Sequence, residues 1–270
     1  MVRLMIRLNY KDTKSILSCI SEAYRIDCGL AIQTLEEITL SECGVVSGKI
    51  LDRFDFIIGR KPEITDAVWF HGTRVRYPYL LKERGLLPRN EVEPELRSFL
   101  NELAKSEEIE SYGANPFSQS INAKLNVDRD YWPNASSFYI VATSTNDRHN
   151  YCRCPELILD IAGELVGSDW ARLVNCYMKL SMPCVVSFVA PPSEHHLEIG
   201  LLYLYRLVKE GLTELNAAEG VVKYLSPCHE IVSPRDILSV DVLDLYYPMF
   251  NEMNSDSSSS LFELTPYGGD

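Results

Sequence analysis

The alternation of apolar and polar residues divides the chain into a helical first part and a mixed remainder. From Asp12 to about Phe56, apolar residues recur every three or four positions, which is the period of an amphipathic helix. After Lys61-Pro62, residues 67–70 form a short apolar run of strand-forming residues that ends at His71. We therefore predict N-terminal helices, followed by a strand that leads into a turn.

The rest of the chain alternates between predicted helices and predicted strands. Gly85 is placed to end the first of the later helices, because glycine is common just past a helix C-terminus. Helical periods cover residues 77–84, 91–110, 155–180 and 197–212. Runs rich in β-branched and aromatic residues predict strands at 136–142, 183–190, 221–225 and 230–232, the last continuing through 237–245.

These elements predict a mixed α and β architecture with three parts. Residues 1–60 form a helical N-terminal segment, and residues 61–250 form the main domain. Residues 111–134, which contain several glycines and prolines, are predicted to form a loop. Residues 251–270 carry a serine run and are predicted to be a disordered tail.

Composition and charge narrow the possible partners. The 270 residues carry a formal net charge of −12, so phosphate backbones and anionic membranes are repelled unless a basic patch intervenes. We therefore expect neither nucleic acid nor a membrane as a partner. No apolar run is long enough for a signal sequence or a membrane span, and the eight cysteines are scattered. We expect a soluble, uncleaved chain with reduced thiols in a cytosol.

A metal site is not expected. His149, Cys152 and Cys154 form the single cluster with suitable ligand types, and a fourth ligand would be needed to hold zinc. No second pair of cysteines or histidines follows at the spacing of a zinc finger. Ordinary buried cysteines are the favoured interpretation.

Three separated pieces of sequence carry candidate chemistry. A predicted strand ends at His71-Gly72-Thr73, a second carries Tyr139, and a third opens with Glu230. This order resembles the His-Tyr-Glu class of ADP-ribosyltransferases, the branch of diphtheria toxin and the poly(ADP-ribose) polymerases. The resemblance extends over about residues 66–245.

Two further local similarities support this resemblance. Residues 138–142, followed by His149-Asn150-Tyr151, resemble the middle strand of that class and the tyrosine beyond it. Residues 80–86 resemble the helix and the glycine-leucine exit after the histidine motif. The resemblance implies an α+β fold, in which a split β-sandwich with flanking helices surrounds an NAD cleft.

The resemblance also assigns roles to the first and middle motifs. His71 would hydrogen-bond a ribose hydroxyl, and Gly72 would let its backbone approach the nicotinamide carboxamide. Thr73 belongs to the same NAD-binding motif. Tyr139 and Tyr151 would sandwich the cationic nicotinamide by cation–π stacking.

The catalytic carboxylate is predicted to be Glu230. It would hold the 2′-hydroxyl of the nicotinamide ribose and oppose the positive charge that develops as the glycosidic bond breaks. Glu219 is the nearest competing carboxylate. Arg74 and Arg76 are candidates for the NAD pyrophosphate, because arginine binds phosphate through charge-assisted hydrogen bonds, although both could be ordinary surface residues.

The arginine-directed branch of the superfamily is less favoured. Ser136-Ser137 resembles its serine motif, and Arg74 could be fitted to its scheme. That branch has a glutamate or glutamine two residues before its catalytic glutamate, whereas this chain has Cys228 there. Nothing in the sequence resembles a long acceptor-binding loop, so transfer of a single ADP-ribose is favoured over polymer formation.

The sequence thus predicts an NAD-dependent mono-ADP-ribosyltransferase that modifies a protein side chain without a metal. The expected location is the cytoplasm, or a host cytosol after secretion of a bacterial effector or toxin. Ubiquitin, a GTPase or a translation factor would each be a consistent acceptor. Two alternatives stay open: an RNA 2′-phosphotransferase of the same fold, and an inactive module that only binds a partner protein.

Overall fold

The computed structural model describes residues 6–39, 49–117, 134–144, 151–225, 231–244 and 249–250. The N-terminal part begins with a short strand, β1 (Arg7–Leu8), and continues with the helices α1 (Thr13–Tyr24), α2 (Cys28–Glu37) and α3 (Lys49–Ile58). Asp12 caps α1, because its carboxylate accepts a hydrogen bond from the Ser15 amide at 2.7 Å. These helices agree with the helical period predicted from Asp12 to about Phe56, whereas the strand β1 was not predicted.

Seven helices follow within the described ranges. Their bounds are α4 (Pro78–Arg84), α5 (Arg89–Ser106), α6 (Tyr139–Ala142), α7 (Glu156–Val166), α8 (Trp170–Lys179), α9 (His196–Glu210) and α10 (Glu214–Glu219). The helices predicted at 77–84, 91–110 and 197–212 are confirmed as α4, α5 and α9. The one predicted at 155–180 is two helices, because the chain turns at Gly167, whose φ is 60°.

A single sheet joins the described strands β1, β2 (Asp66–Val75), β3 (Ala135–Ser136), β4 (Met182–Ala190), β5 (Tyr224–Leu225) and β6 (Ile237–Val242). The strand order is β5-β3-β2-β4-β6, with every pair antiparallel, and β1 runs parallel to β2. The strand β4 is the apolar run predicted at 183–190. These layers confirm the α+β class.

The helices pack as two groups around this sheet. In one group, α1, α2 and α3 lie against α9, so the N-terminal segment shares its packing with the main domain. In the other group, α5, α7 and α8 pack against one another. The long strand β2 contacts both groups. The ring of Trp69 packs edge-to-face on His196, the first residue of α9, and the guanidinium of Arg74 donates to the carbonyl oxygen of Met178 in α8.

The predicted strand at 136–142 is wrong for most of its length. Pairing ends at Ser136, and Tyr139 lies in the short helix α6. Tertiary packing overrides strand propensity here: the ring of Phe138 stacks on Tyr10 at 5.3 Å, and the amide of Tyr139 donates to the carbonyl of Tyr10 at 3.2 Å. The Ser136 hydroxyl also donates to the carbonyl of Phe138, which turns the chain away from the sheet.

Three other strand bounds differ from the prediction. The strand expected to end at His71 continues to Val75, because β4 pairs along its whole length. The strand expected at 221–225 is reduced to Tyr224–Leu225. Of the strand expected at 230–232, Val232 forms an isolated bridge to Leu86, and Glu230 lies outside the described residues. Residues 118–133 of the predicted loop and the predicted tail at 251–270 also lie outside them.

Within the described ranges, none of the helices combines the length and the apolar character that crossing a bilayer requires.

Gly85 allows the chain to leave α4, and replacing it is expected to destabilise the fold. Its φ of 84° and ψ of −170° lie in a region that is almost exclusive to glycine, and an added Cβ would overlap the carbonyl oxygen of Val232. We expect Gly85→Ala to lower the free energy of unfolding by about 3 kcal/mol. Urea denaturation of wild type and variant measures this difference.

Gly211→Ala is the matched control. Gly211 also ends a helix with a positive φ, of 62°, but a Cβ there meets nothing within 4 Å. Backbone strain alone is expected to cost about 1 kcal/mol at that position. Equal losses in the two variants would contradict the close approach of Gly85 to the chain at Val232.

His196 is predicted to make the fold acid-sensitive. It is the first residue of α9 and is 1% exposed, with its ring stacked on Tyr10 at 5.0 Å. Burial lowers its pKa from 6.5 to about 4. Because the unfolded chain takes up the proton first, stability is fully present above pH 6.5 and falls by up to about 3 kcal/mol as the pH drops toward 4.

Denaturation curves between pH 7 and pH 4 test this dependence, with His196→Phe as the comparison. Phenylalanine keeps the ring stacking but removes the titrating group. The variant should lose much less stability over this interval than the wild type. Parallel pH profiles for the two proteins would assign the acid sensitivity to other groups.

Candidate functional site

A cavity of about 380 Å³ lies beside the second half of β2. Its other walls come from α4, from the first half of α5 and from residues 151–158. Four of the residues singled out in the first motif, His71, Gly72, Thr73 and Arg74, line it together with Tyr151 from the middle motif. The structure therefore brings two separated parts of the predicted NAD site to one cavity.

The cavity follows the edge of β2 and not one of its faces. Successive side chains of a strand point to opposite faces, yet every residue from 71 to 77 lines the cavity. On one edge, β4 pairs with β2 as far as Val75; on the other, the described ladder to β3 consists of the single pair Phe70–Ser136. Beyond Phe70, this second edge of β2 borders the cavity, where its backbone can offer hydrogen bonds to a ligand.

His71 is held in one tautomer at this edge. Its Nδ1 lies 2.8 Å from the carbonyl oxygen of Asn134, and because a carbonyl only accepts, Nδ1 carries the hydrogen. In the neutral ring Nε2 is then an acceptor. Burial lowers the pKa of His71, an effect that the bond to Asn134 partly opposes, so the ring is neutral at pH 7.

Gly72 is required by packing on one face of β2. A Cβ there would lie 2.5 Å from the carbonyl oxygen of Ala142 and 3.0 Å from the Sγ of Cys152. The residue next to the histidine therefore admits the close approach of α6 to this face of β2. Thr73, the following residue, is buried and pairs with Cys184 of β4.

Arg74 has a structural role. Its side chain is buried, and its guanidinium donates to the carbonyl oxygens of Cys152 at 3.1 Å, Met178 at 2.8 Å and Ser181 at 2.8 Å. These bonds fasten the end of β2 to the chain before α7 and to the end of α8. Because its donors serve backbone carbonyls, Arg74 is a poor candidate for the phosphate contact predicted from the sequence.

Tyr139 is not among the described residues that line the cavity. Tyr139 is the first residue of α6, and its ring packs edge-to-face on Phe70 with the ring centroids 5.5 Å apart. Burial, together with the carboxylate of Asp241, to which its hydroxyl donates a hydrogen bond, raises the pKa of Tyr139 to about 12. Lys11 forms an ion pair with the same carboxylate at 3.1 Å. The structure thus brings Tyr151, but not Tyr139, to the cavity.

The two candidate carboxylates differ in what the structure says of them. Glu230 lies outside the described residues; Val232, two positions along, exchanges backbone hydrogen bonds with Leu86 in the cavity wall. Glu219, the competitor, ends α10 and does not occur among the lining residues.

The described parts of the chain contain no group of three histidine, cysteine or acidic residues placed to hold a metal ion. Of the candidate zinc ligands, Cys152 and Cys154 are buried, and the thiol of Cys152 donates to the carbonyl oxygen of Ala142 at 3.2 Å. His149 lies outside the described residues.

Two features of the site could not be predicted from the sequence. The partner of His71 is the backbone carbonyl of Asn134, and a carbonyl leaves no mark in the sequence. The guanidinium of Arg76 lies over the ring of Phe99, at 3.8 Å, and this contact joins residues far apart in the chain. The sequence signal for Arg76 was its position after the motif, which it shares with Arg74.

Comparison with known proteins assigns no family to this geometry: no protein-family model, no curated protein and no solved structure matches the chain.

Proposed function

We propose that the cavity binds NAD and that the chain is an NAD-dependent mono-ADP-ribosyltransferase. The observation that carries this proposal is that a neutral, oriented His71 and the glycine after it line one cavity, at a stretch of β2 where no described strand pairs with the second edge. An acceptor nitrogen beside a strand edge without a described partner strand suits a ligand that carries both a hydroxyl-bearing ribose and a carboxamide.

The nicotinamide end of NAD has complementary groups. Its carboxamide offers an NH₂ donor and a carbonyl acceptor, which match the C=O and N–H of a strand edge. The Nε2 of His71 accepts from a ribose hydroxyl. Tyr151, in the same cavity, supplies one aromatic ring for the cationic nicotinamide, worth roughly 0.5–2 kcal/mol. Since Tyr139 does not line the cavity, the stacking role rests on Tyr151 in this proposal.

The reaction breaks the bond between the nicotinamide nitrogen and C1′ of its ribose. The electron pair leaves with neutral nicotinamide, positive charge develops on the ribose, and a nucleophile of the acceptor protein forms the new bond to C1′ and loses its proton. A carboxylate lowers the barrier by opposing the charge that develops. Glu230 remains our prediction for this group, and the chain two residues after it is fixed at the cavity wall.

The same proposal includes the fold family and the acceptor. The sheet and its helices would form the split sandwich of the ADP-ribosyltransferase fold, with the cleft at the edge of β2. The acceptor would be a protein side chain in the cytoplasm, or in a host cytosol after secretion by a bacterium, with ubiquitin, a GTPase or a translation factor as examples.

Incubation of a cell lysate with NAD labelled on its adenylate group tests the proposal. Wild type should label at least one protein band, and mass spectrometry should find an ADP-ribosylated side chain; Glu230→Ala should label none. Saturable NAD binding without labelling or nicotinamide release would instead support an inactive binding module. Removal of a 2′-phosphate from an RNA would support the phosphotransferase alternative.

A further inference from the structure

We infer that Arg76 is the anion-binding residue of this cavity and that it selects ligands carrying a diphosphate. The inference rests on the proposed function for the identity of the natural ligand, NAD, but not for the presence of the anion site. It follows from how the arginines of the cavity are engaged, from the way Arg76 is held, and from the charge of the whole chain.

Four arginines line the cavity, and three of them have other partners. Arg74 donates to buried backbone carbonyls. Arg84 pairs with Glu95 at 3.0 Å, and Arg89 pairs with the buried carboxylate of Asp160 at 3.3 Å. Among the described residues, no carboxylate lies within ion-pair distance of Arg76, which leaves its charge available to a ligand.

The guanidinium of Arg76 is held by two aromatic residues. It lies 3.8 Å from the ring centroid of Phe99 and 4.9 Å from that of Tyr77, and its Nη2 donates to the Tyr77 hydroxyl at 2.9 Å. The N–H groups of a guanidinium lie in its plane, so those that do not bind Tyr77 can form a forked contact to two phosphate oxygens. Because the group is already ordered, binding costs little further side-chain entropy.

The position of Arg76 along the chain also suits a diphosphate. Arg76 lies four Cα-to-Cα steps after Gly72, one residue beyond the end of β2, so the two are at most about 13 Å apart at 3.3 Å per residue. In the proposed pose the nicotinamide and its ribose lie at His71 and Gly72, and the diphosphate follows along the cavity toward the later lining residues. The long side chain of Arg76 can then meet the phosphates that follow that ribose.

Overall charge makes a local cation necessary. The chain carries a formal charge of −12, so a dianionic ligand is repelled at long range. A half-buried guanidinium offsets this repulsion at short range, because solvent screens a half-buried charge less than an exposed one. The ion pair of Arg84 with Glu95, whose side chains are 47% and 69% exposed, is too exposed to do the same.

Calorimetric titration with ADP, which carries a diphosphate but no nicotinamide, tests this inference without any turnover. We expect ADP to bind the wild type, Arg76→Gln to weaken binding at least tenfold, and Arg76→Lys to bind with intermediate affinity. Arg84→Gln, from the same cavity, is the control and should stay within about twofold of wild type. Nicotinamide riboside, which has no phosphate, should be insensitive to Arg76→Gln.

Each result separates the anion site from the transferase. Equal ADP affinity in wild type and Arg76→Gln, or no ADP binding by the wild type, overturns the inference, even if NAD is cleaved. Arg76-dependent ADP binding without nicotinamide release supports it while the proposed function fails. Thermal unfolding checks that Arg76→Gln folds; if it does not, Arg76→Lys decides, and wild-type ADP affinity in that variant overturns the inference.

Discussion

Replacing Glu230 by glutamine is expected to lower kcat for NAD cleavage by about a thousandfold while changing NAD affinity only a few-fold. Positive charge on the ribose is present mainly in the transition state, so a residue that opposes it contributes to kcat and little to ground-state binding. Glutamine keeps the size and the hydrogen-bonding capacity of the side chain and removes the charge. Steady-state nicotinamide release gives kcat and KM for both proteins.

Glu219→Gln is the matched control for this variant. Glu219 is the competing late carboxylate, and it ends α10 apart from the residues that line the cavity. We expect Glu219→Gln to retain wild-type kcat. Normal turnover in Glu230→Gln would remove Glu230 from the mechanism, and loss of turnover in Glu219→Gln alone would transfer the role to that residue.

Arg74→Leu is expected to destabilise the protein by about 3 kcal/mol. The change removes a buried guanidinium and leaves the carbonyls of Cys152, Met178 and Ser181 without their donor. It loosens the attachment of β2 to the end of α8, which also supports the cavity wall. Urea denaturation of purified protein measures the loss, and the unfolding midpoint should shift markedly.

Arg76→Leu separates this structural role from ligand binding. Arg76 lies two residues along and stacks on exposed or half-buried rings, so its loss should cost less than about 1 kcal/mol of stability. If Arg74→Leu were as stable as the wild type and had lost NAD binding instead, Arg74 would be the phosphate ligand. That result would reverse the roles assigned to the two arginines.

Much of the fold could be predicted because local sequence decides it. Residues 78–84 form a helix that ends at Gly85, where a positive φ is required, and the apolar run at β4 lies inside the sheet. The predicted strand at 136–142 failed because Phe138 is drawn into a cluster with Tyr10 and Tyr203, a contact between distant residues. Propensity cannot anticipate such a contact.

The candidate site was predictable to a similar degree. The run from His71 to Arg74 and Tyr151 were identified from motif residues, and the structure gathers them at one cavity. The different duties of Arg74 and Arg76 depend on backbone carbonyls and on a ring from α5, neither of which leaves a local signal. Chemistry that uses side chains of a compact motif is readable from sequence, whereas chemistry set by distant backbone is not.

The central claim is that this cavity cleaves the glycosidic bond of NAD, and nicotinamide release by the purified protein tests it most directly. Water can replace the acceptor once the bond is activated, so chromatography of NAD incubated with wild type should show free nicotinamide accumulating above the buffer rate. Glu230→Gln and His71→Leu should reduce it to near that rate. Release from wild type no faster than from buffer at saturating NAD would contradict the account.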